Sequence, residues 1–177
     1  MWISPYSWAN DEVVTAEQLN TALRDDMNLL RWTAPYKSAD ESVTNNASPQ
    51  NDDALFFAVA IGETWVFHAR IVWQQGAGGI RWLWTGPTNG VGSYASAGED
   101  GAAASFGRSA LSLGVEAATI TGDHFGVASY QEVMGFVEVG DTAGNIRFAW
   151  AQASSNAAAT TVRTGSWLTA WRLVGSG

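Results

Sequence analysis

The chain has 177 residues, 46% of them hydrophobic and 15% charged, with a formal net charge of −8, no cysteine and a single lysine, Lys37. Without cysteine, disulfide frameworks, thiolate metal sites and cysteine nucleophiles are excluded; with one lysine among so many acids, the clustered cations that neutralise nucleic-acid phosphates are excluded too. No apolar run approaches the ~18 residues of a membrane-spanning helix, and the opening residues lack the basic-then-apolar pattern of a secretory signal.

The acidity is uneven. Residues 1–53 hold nine acids and three bases, net −6, whereas residues 54–177 hold eight acids and six arginines, net −2. The first 14 residues carry Trp2, Pro5, Tyr6 and Trp8 with neither helical nor strand periodicity, which predicts an extended arm. At Thr15 the pattern changes. Thr15 and Gln18 have the spacing of a capping box, and Val14 and Leu19 that of a hydrophobic staple. Ala16, Leu19, Leu23, Met27 and Leu30 then recur at three- and four-residue steps, predicting one amphipathic helix of about four turns. Pro35 stops it.

Residues 37–52 are rich in Ser, Asn and Asp and hold one large aliphatic side chain, Val43, so they read as a polar linker. The expected organisation is an arm and helix over 1–36, the linker over 37–52 and a globular domain over 53–177.

Within that domain the period is two. Trp65, Phe67, Ala69, Ile71 and Trp73 share one face of a strand, and Ile80, Trp82 and Trp84 share a face of the next. Ile146, Phe148 and Trp150 alternate with Arg147, Ala149 and Ala151; Trp167, Thr169, Trp171 and Leu173 alternate with Leu168, Ala170 and Arg172. Shorter runs at 54–59, 91–96, 115–121 and 131–139, separated by Gly-rich turns, bring the total to about eight strands. The fold class is all-β, a sandwich or barrel preceded by an N-terminal arm and one helix. Several strands carry apolar residues on both faces. One core needs only one face of each strand, so the surplus points to burial between subunits.

Little in the sequence points to catalysis, a metal or a cofactor. The acid pairs Asp40/Glu41, Asp52/Asp53 and Glu99/Asp100 lack the alternating spacing of a calcium loop and read as solvated loops. His68 lies mid-strand. His124 has Asp123 beside it and Ser129 nearby, but no nucleophile elbow surrounds them. No phosphate loop, dinucleotide fingerprint or paired-histidine metal motif is present. Trp73, Trp82, Trp84 and Tyr94 are candidates for a sugar-stacking platform. Their mid-strand positions favour a place in the core or a subunit interface instead.

Two stretches carry a resemblance. Trp8-Ala9-Asn10-Asp11-Glu12-Val13-Val14-Thr15-Ala16-Glu17-Gln18-Leu19-Asn20, continuing to Leu23-Arg24-Asp25-Asp26-Met27-Asn28-Leu29-Leu30, resembles the opening of tailed-bacteriophage virion proteins. Asn145-Ile146-Arg147-Phe148-Ala149-Trp150-Ala151-Gln152, followed by Thr160-Thr161-Val162 and Gly165-Ser166-Trp167-Leu168, is similar to the ends of such proteins, where these strands close a jelly roll. Asp53 to Trp73 fits the first strands of that domain; residues 86–130 match nothing familiar.

The resemblance implies a jelly-roll β-sandwich like the trimeric tumour-necrosis-factor type, in a non-enzymatic homotrimer on the exterior of a virion. The leading expectation is a capsid decoration or head-spike protein; the alternative is a tail, collar or fibre component that binds host glycans. The expected partners are further copies of the chain and a major capsid protein or a tail- or portal-proximal protein, with no nucleic acid, membrane, metal or cofactor. Trp2, Tyr6, Trp8, Leu19, Leu23, Met27 and Leu30 are the expected attachment residues. Trp65, Phe67, Trp73, Phe148, Trp150, Trp167 and Trp171 are the expected subunit-interface residues.

Overall fold

Thr15 opens the local structure as its spacing predicts. Its hydroxyl accepts from the Gln18 N–H at 3.2 Å, and the Gln18 side chain accepts from the Thr15 N–H at 2.8 Å, starting α1 (Ala16–Leu19). The computed structural model describes residues 11, 13, 15–20, 33–98, 111–113 and 128–173. The remainder of the predicted helical stripe, Leu23, Met27 and Leu30, lies outside those residues, as do Trp2, Tyr6, Trp8 and the strand expected at 115–121. The chain divides into two units, one of them Thr33–Leu173, which holds every strand among the described residues.

Ten strands occur among the described residues: β1 (Glu41–Val43), β2 (Gln50–Val59), β3 (Thr64–Gln74), β4 (Arg81–Thr85), β5 (Val91–Gly98), β6 (Leu111–Ser112), β7 (Ala128–Glu138), β8 (Gly144–Ala151), β9 (Thr160–Val162) and β10 (Trp167–Leu173). They form two antiparallel sheets. The larger runs β1-β9-β3-β7-β5-β6, with β10 also paired to β3; the smaller runs β2-β8-β4. The pairs β1 with β9, β2 with β8 and β3 with β7 lay the first half of the domain against the second from the outside inward. That nesting is how a jelly roll wraps. The described residues form an all-β sandwich with one short helix, and the all-β class is what the periodicity predicts.

The core is aromatic and lies between the sheets. Phe67 of the larger sheet packs on Trp84 of the smaller at 4.7 Å between ring centroids, Tyr94 on Trp82 at 5.9 Å, and Phe148 touches both Trp82 and Trp84. Across the β3–β7 pairing, size is matched position by position. Phe67 lies opposite Gly135, Ala69 opposite Val133 and Trp73 opposite Ser129. A Cβ on Gly135 would come within 2.1 Å of the Phe67 ring, so the large side chain requires the absent one.

The expected linker is part of the domain. The unit begins at Thr33, not near residue 53. Thr33 exchanges backbone hydrogen bonds with Ala170, Leu168 donates to Pro35, and Lys37 donates to Ser166, so residues 33–37 extend the sheet along the outer edge of β10. Val43 is buried within β1. The polar composition of 37–52 misleads because two of its charged groups, Lys37 and Asp52, are buried and paired. Lys37 is 3% exposed and lies between Glu41 and Asp52, with Nζ 2.6 and 2.7 Å from their carboxylate oxygens. Burial alone pulls the Lys37 ammonium down, but the hydrogen bonds and charges of Asp52 and Glu41 outweigh it and hold its pKa above the ordinary lysine value.

The Trp-Ala-Gln and Gly-Ser stretches late in the chain are structural devices. Gln152, wholly buried after Trp150 and Ala151, accepts from the N–H groups of Asn46 and Asn156 and donates to the Ala158 carbonyl at 2.7 Å. One side chain thereby organises two loops. Gly165, at φ +84°, turns the chain into β10, and the Ser166 hydroxyl accepts from the Val72 N–H at 2.9 Å, locking that turn onto β3.

Candidate functional site

In the register between β3 and β7, Val66 lies opposite Phe136, His68 opposite Met134, Arg70 opposite Glu132 and Val72 opposite Tyr130. These side chains point away from the core, because their strand neighbours Phe67, Ala69, Ile71 and Trp73 point into it. The pairing of β10 with β3 adds Trp171 beside Val66 and Trp167 beside Arg70, and the Tyr36–Trp167 bridge adds Tyr36 at the edge. The outer face of the larger sheet is therefore apolar over several strands. Trp171, Phe136, Met134, Tyr130 and Leu173 on it are 37–61% exposed and gather on one face. At its far side, β5 offers small side chains at Ser93, Ala95 and Ala97, with Val91 exposed at its start.

A charged cluster sits within this apolar field. His68 Nε2 is 2.8 Å from Glu132, whose other oxygen lies 3.7 Å from Arg70 Nε. The Arg70 guanidinium lies over the Tyr130 ring at 4.3 Å, and the Trp167 ring meets His68 edge-on at 5.0 Å. His68, Arg70 and Glu132 each have a charged partner or a ring beside them. That arrangement lets the patch lose water at lower cost than unpaired charges would allow.

The expected interface residues divide. Trp167 and Trp171 belong to the outer face. Phe67, Trp73, Phe148 and Trp150 are at most 2% exposed within the single chain and have no surface to present to a second subunit, which corrects the expectation for those four. Trp65 closes the rim of the core: its ring packs on Phe57 at 5.3 Å, and its indole N–H donates to Glu63. Glu63 also accepts from the Ala60 N–H and from Arg172. Partial burial pushes the Glu63 carboxyl up, but these donors and the arginine charge prevail and hold it below the usual range. Tyr130, Met134 and Phe136 were missed because their strand intervals are filled by Ser129, Gln131 and Gly135, which look like the wet side. The bulky partners on β3 make them the dry one.

The other candidates fall elsewhere. Trp73, Trp82, Trp84 and Tyr94 are at most 3% exposed, so none forms a sugar platform. Asp123, His124, Glu99 and Asp100 lie outside the described residues; Ser129 is buried opposite Trp73. Asp40 pairs with Arg163 at 3.0 Å, while Glu41 and Asp52 hold Lys37. Among the described residues, no group of three potential metal ligands converges, and no helix is long and apolar enough to cross a membrane. Of the expected attachment residues only Leu19 is described; it is 41% exposed in α1.

No protein-family model matches the chain, and no curated protein matches it. Among solved structures, it bears a weak likeness to a chain in the structure of the infectious bursal disease virus Gx strain. The two are 10% identical, with a TM-score of 0.27, over 79% of this chain and 38% of that one.

Proposed function

We propose that this protein is a non-enzymatic structural component of a phage virion, a homotrimeric capsid decoration or head-spike protein. Its jelly-roll domains associate through the outer face of the larger sheet, and its N-terminal arm attaches them to a capsid, tail or portal-proximal protein. The observation that carries the reading is that apolar outer face: the core is complete within one chain, yet Trp171, Phe136, Met134 and Leu173 remain exposed together. Aromatic and methionine side chains clustered with an arginine are the composition of a subunit interface. The phage-like segments at both ends of the sequence support the virion setting, and the three copies follow from the same resemblance.

The test is sedimentation of the full chain beside a Trp171→Asp, Met134→Glu variant. The wild type should sediment as a trimer and the variant as a folded monomer; a monomeric wild type overturns the assembly. Deleting residues 1–32 should leave a folded trimer that no longer binds particles, and decoration by that truncated protein overturns the attachment role. The alternative, a glycan-binding tail, collar or fibre component, would draw on the exposed Tyr36 and Trp171 rings. A glycan array with signals lost on Tyr36→Ala would favour it.

A further inference from the structure

The lone lysine of the chain is buried against two carboxylates, and the surroundings of that contact go beyond an ion pair. Asp52 is completely buried. Its Oδ1 accepts from the N–H groups of Ala54 and Leu55, both at 2.9 Å, while its Oδ2 lies 2.7 Å from Lys37 Nζ. The β2–β8 register breaks between Asn51 and Phe56, and that irregularity is what turns these two N–H groups toward the Asp52 side chain. Glu41 lies 2.6 Å from the same amine and is itself held by Gln50 Nε2 and the Asp53 N–H. The lysine backbone is fixed by Ser166, Gly165 and Thr164. An amine, a carboxyl carbon, a neighbouring base and two N–H donors on the carbonyl oxygen are thus assembled in a dry site.

We propose that Lys37 and Asp52 condense to an intramolecular amide, with Glu41 as the proton carrier. Glu41 takes one proton from the Lys37 ammonium and passes it to Asp52 Oδ2, and the neutral Nζ attacks Cγ of the resulting carboxylic acid. The negative charge gathers on Oδ1, where the Ala54 and Leu55 N–H groups stand at the distance that stabilises an oxyanion. The Cγ–Oδ2 bond then breaks. Oδ2 leaves as water, carrying the proton relayed by Glu41 and a second proton from Nζ; the third stays on the amide. One C–N bond forms, one C–O bond breaks, the net charge is unchanged and no oxidant takes part. The ion pairing that holds Lys37 protonated opposes loss of its proton to bulk water, whereas transfer to Glu41 keeps the proton inside the cluster. Holding the reactants in contact supplies the effective concentration that this slow condensation lacks in solution. The product replaces a buried ion pair with a neutral amide and closes the chain between residue 37, on the edge of the larger sheet, and residue 52, in the smaller one.

The measurement is the intact mass of the denatured full-length protein after incubation at neutral pH, combined with exhaustive amine acylation. Since Lys37 is the lone lysine, the cross-linked chain is one water lighter than its sequence and accepts a label at the α-amine alone. Peptide mapping should place the missing water between the Lys37 and Asp52 segments. Asp52→Ala and Glu41→Gln should restore the full mass and the second label, with a lower thermal midpoint for each. A wild type of full sequence mass with labelled Lys37 overturns the proposal, as does a water loss mapped elsewhere. Both readings come from the wild type, so a variant that misfolds does not decide the matter.

Discussion

The two sheets of the sandwich present opposite kinds of outer surface. The smaller sheet turns out Arg81, Leu83, Thr85, Asn145, Arg147 and Phe56. Its ring is covered by the Arg147 guanidinium at 4.5 Å, and Arg81 donates to the Ala47 carbonyl. None of its large apolar side chains is among the strongly exposed ones. The larger sheet turns out Trp171, Phe136, Met134 and Tyr130, with its charges drawn together in the middle. Both sheets donate aromatic inner faces to one core, so the difference is not a matter of folding. One outer face is covered by its own arginines; the other leaves its large apolar side chains exposed.

The contrast presumes an intact core, and Gly135 is where that presumption breaks hardest. Gly135→Val places a side chain inside the volume of the Phe67 ring and should cost about 3 kcal/mol or more, or abolish folding. Loss of the cooperative thermal transition is the readout. Trp84→Ala, opening a cavity beneath both sheets, should cost about 3–5 kcal/mol by chemical denaturation. Next in size comes Phe136→Asp on the outer face, which should weaken association by roughly 2 kcal/mol or more per contact and leave the monomer's unfolding midpoint nearly unchanged. Sedimentation with parallel denaturation separates the two effects. Arg147→Ala on the smaller sheet should cost under about 1 kcal/mol and leave association untouched. If it dissociated the assembly as readily as Phe136→Asp, the distinction between the faces would collapse.

The smallest effect concerns acid. Glu63 has a folded pKa below 4.5, so its contribution to stability is fully present above that value and is lost as pH falls through the depressed one. Glu63→Gln should therefore lower stability at neutral pH and flatten its loss below pH 4.5, as followed by thermal midpoints across an acid series.

The sequence disclosed these regions unevenly. The inner faces of β3, β4 and β8 were legible in the alternation of Phe67, Trp84 and Phe148 with smaller or charged neighbours, because the pleat makes that period obligatory. The Thr15 capping box was legible because its geometry is local. The outer face of β7 was not. Ser129 and Gly135 are inward only because Trp73 and Phe67 face them across the ladder, and no property of β7 alone reveals that pairing. β10 misled for the same reason: Leu168 and Ala170 point inward, and the larger Trp167 and Trp171 point out. Residues 37–52 looked like a linker because composition records polarity but not partners. The salt link of Lys37 with Asp52 joins residues 15 positions apart that meet only after both sheets form.

Residues 33–37 have a consequence for how such a molecule can grow. A strand edge with free backbone groups is a template on which further copies add one after another, and nothing in that geometry limits their number. Here the edge of β10 is occupied by the chain's own residues, from Thr33 to Lys37, through short backbone hydrogen bonds. The segment therefore withdraws the edge of β10 from that kind of growth.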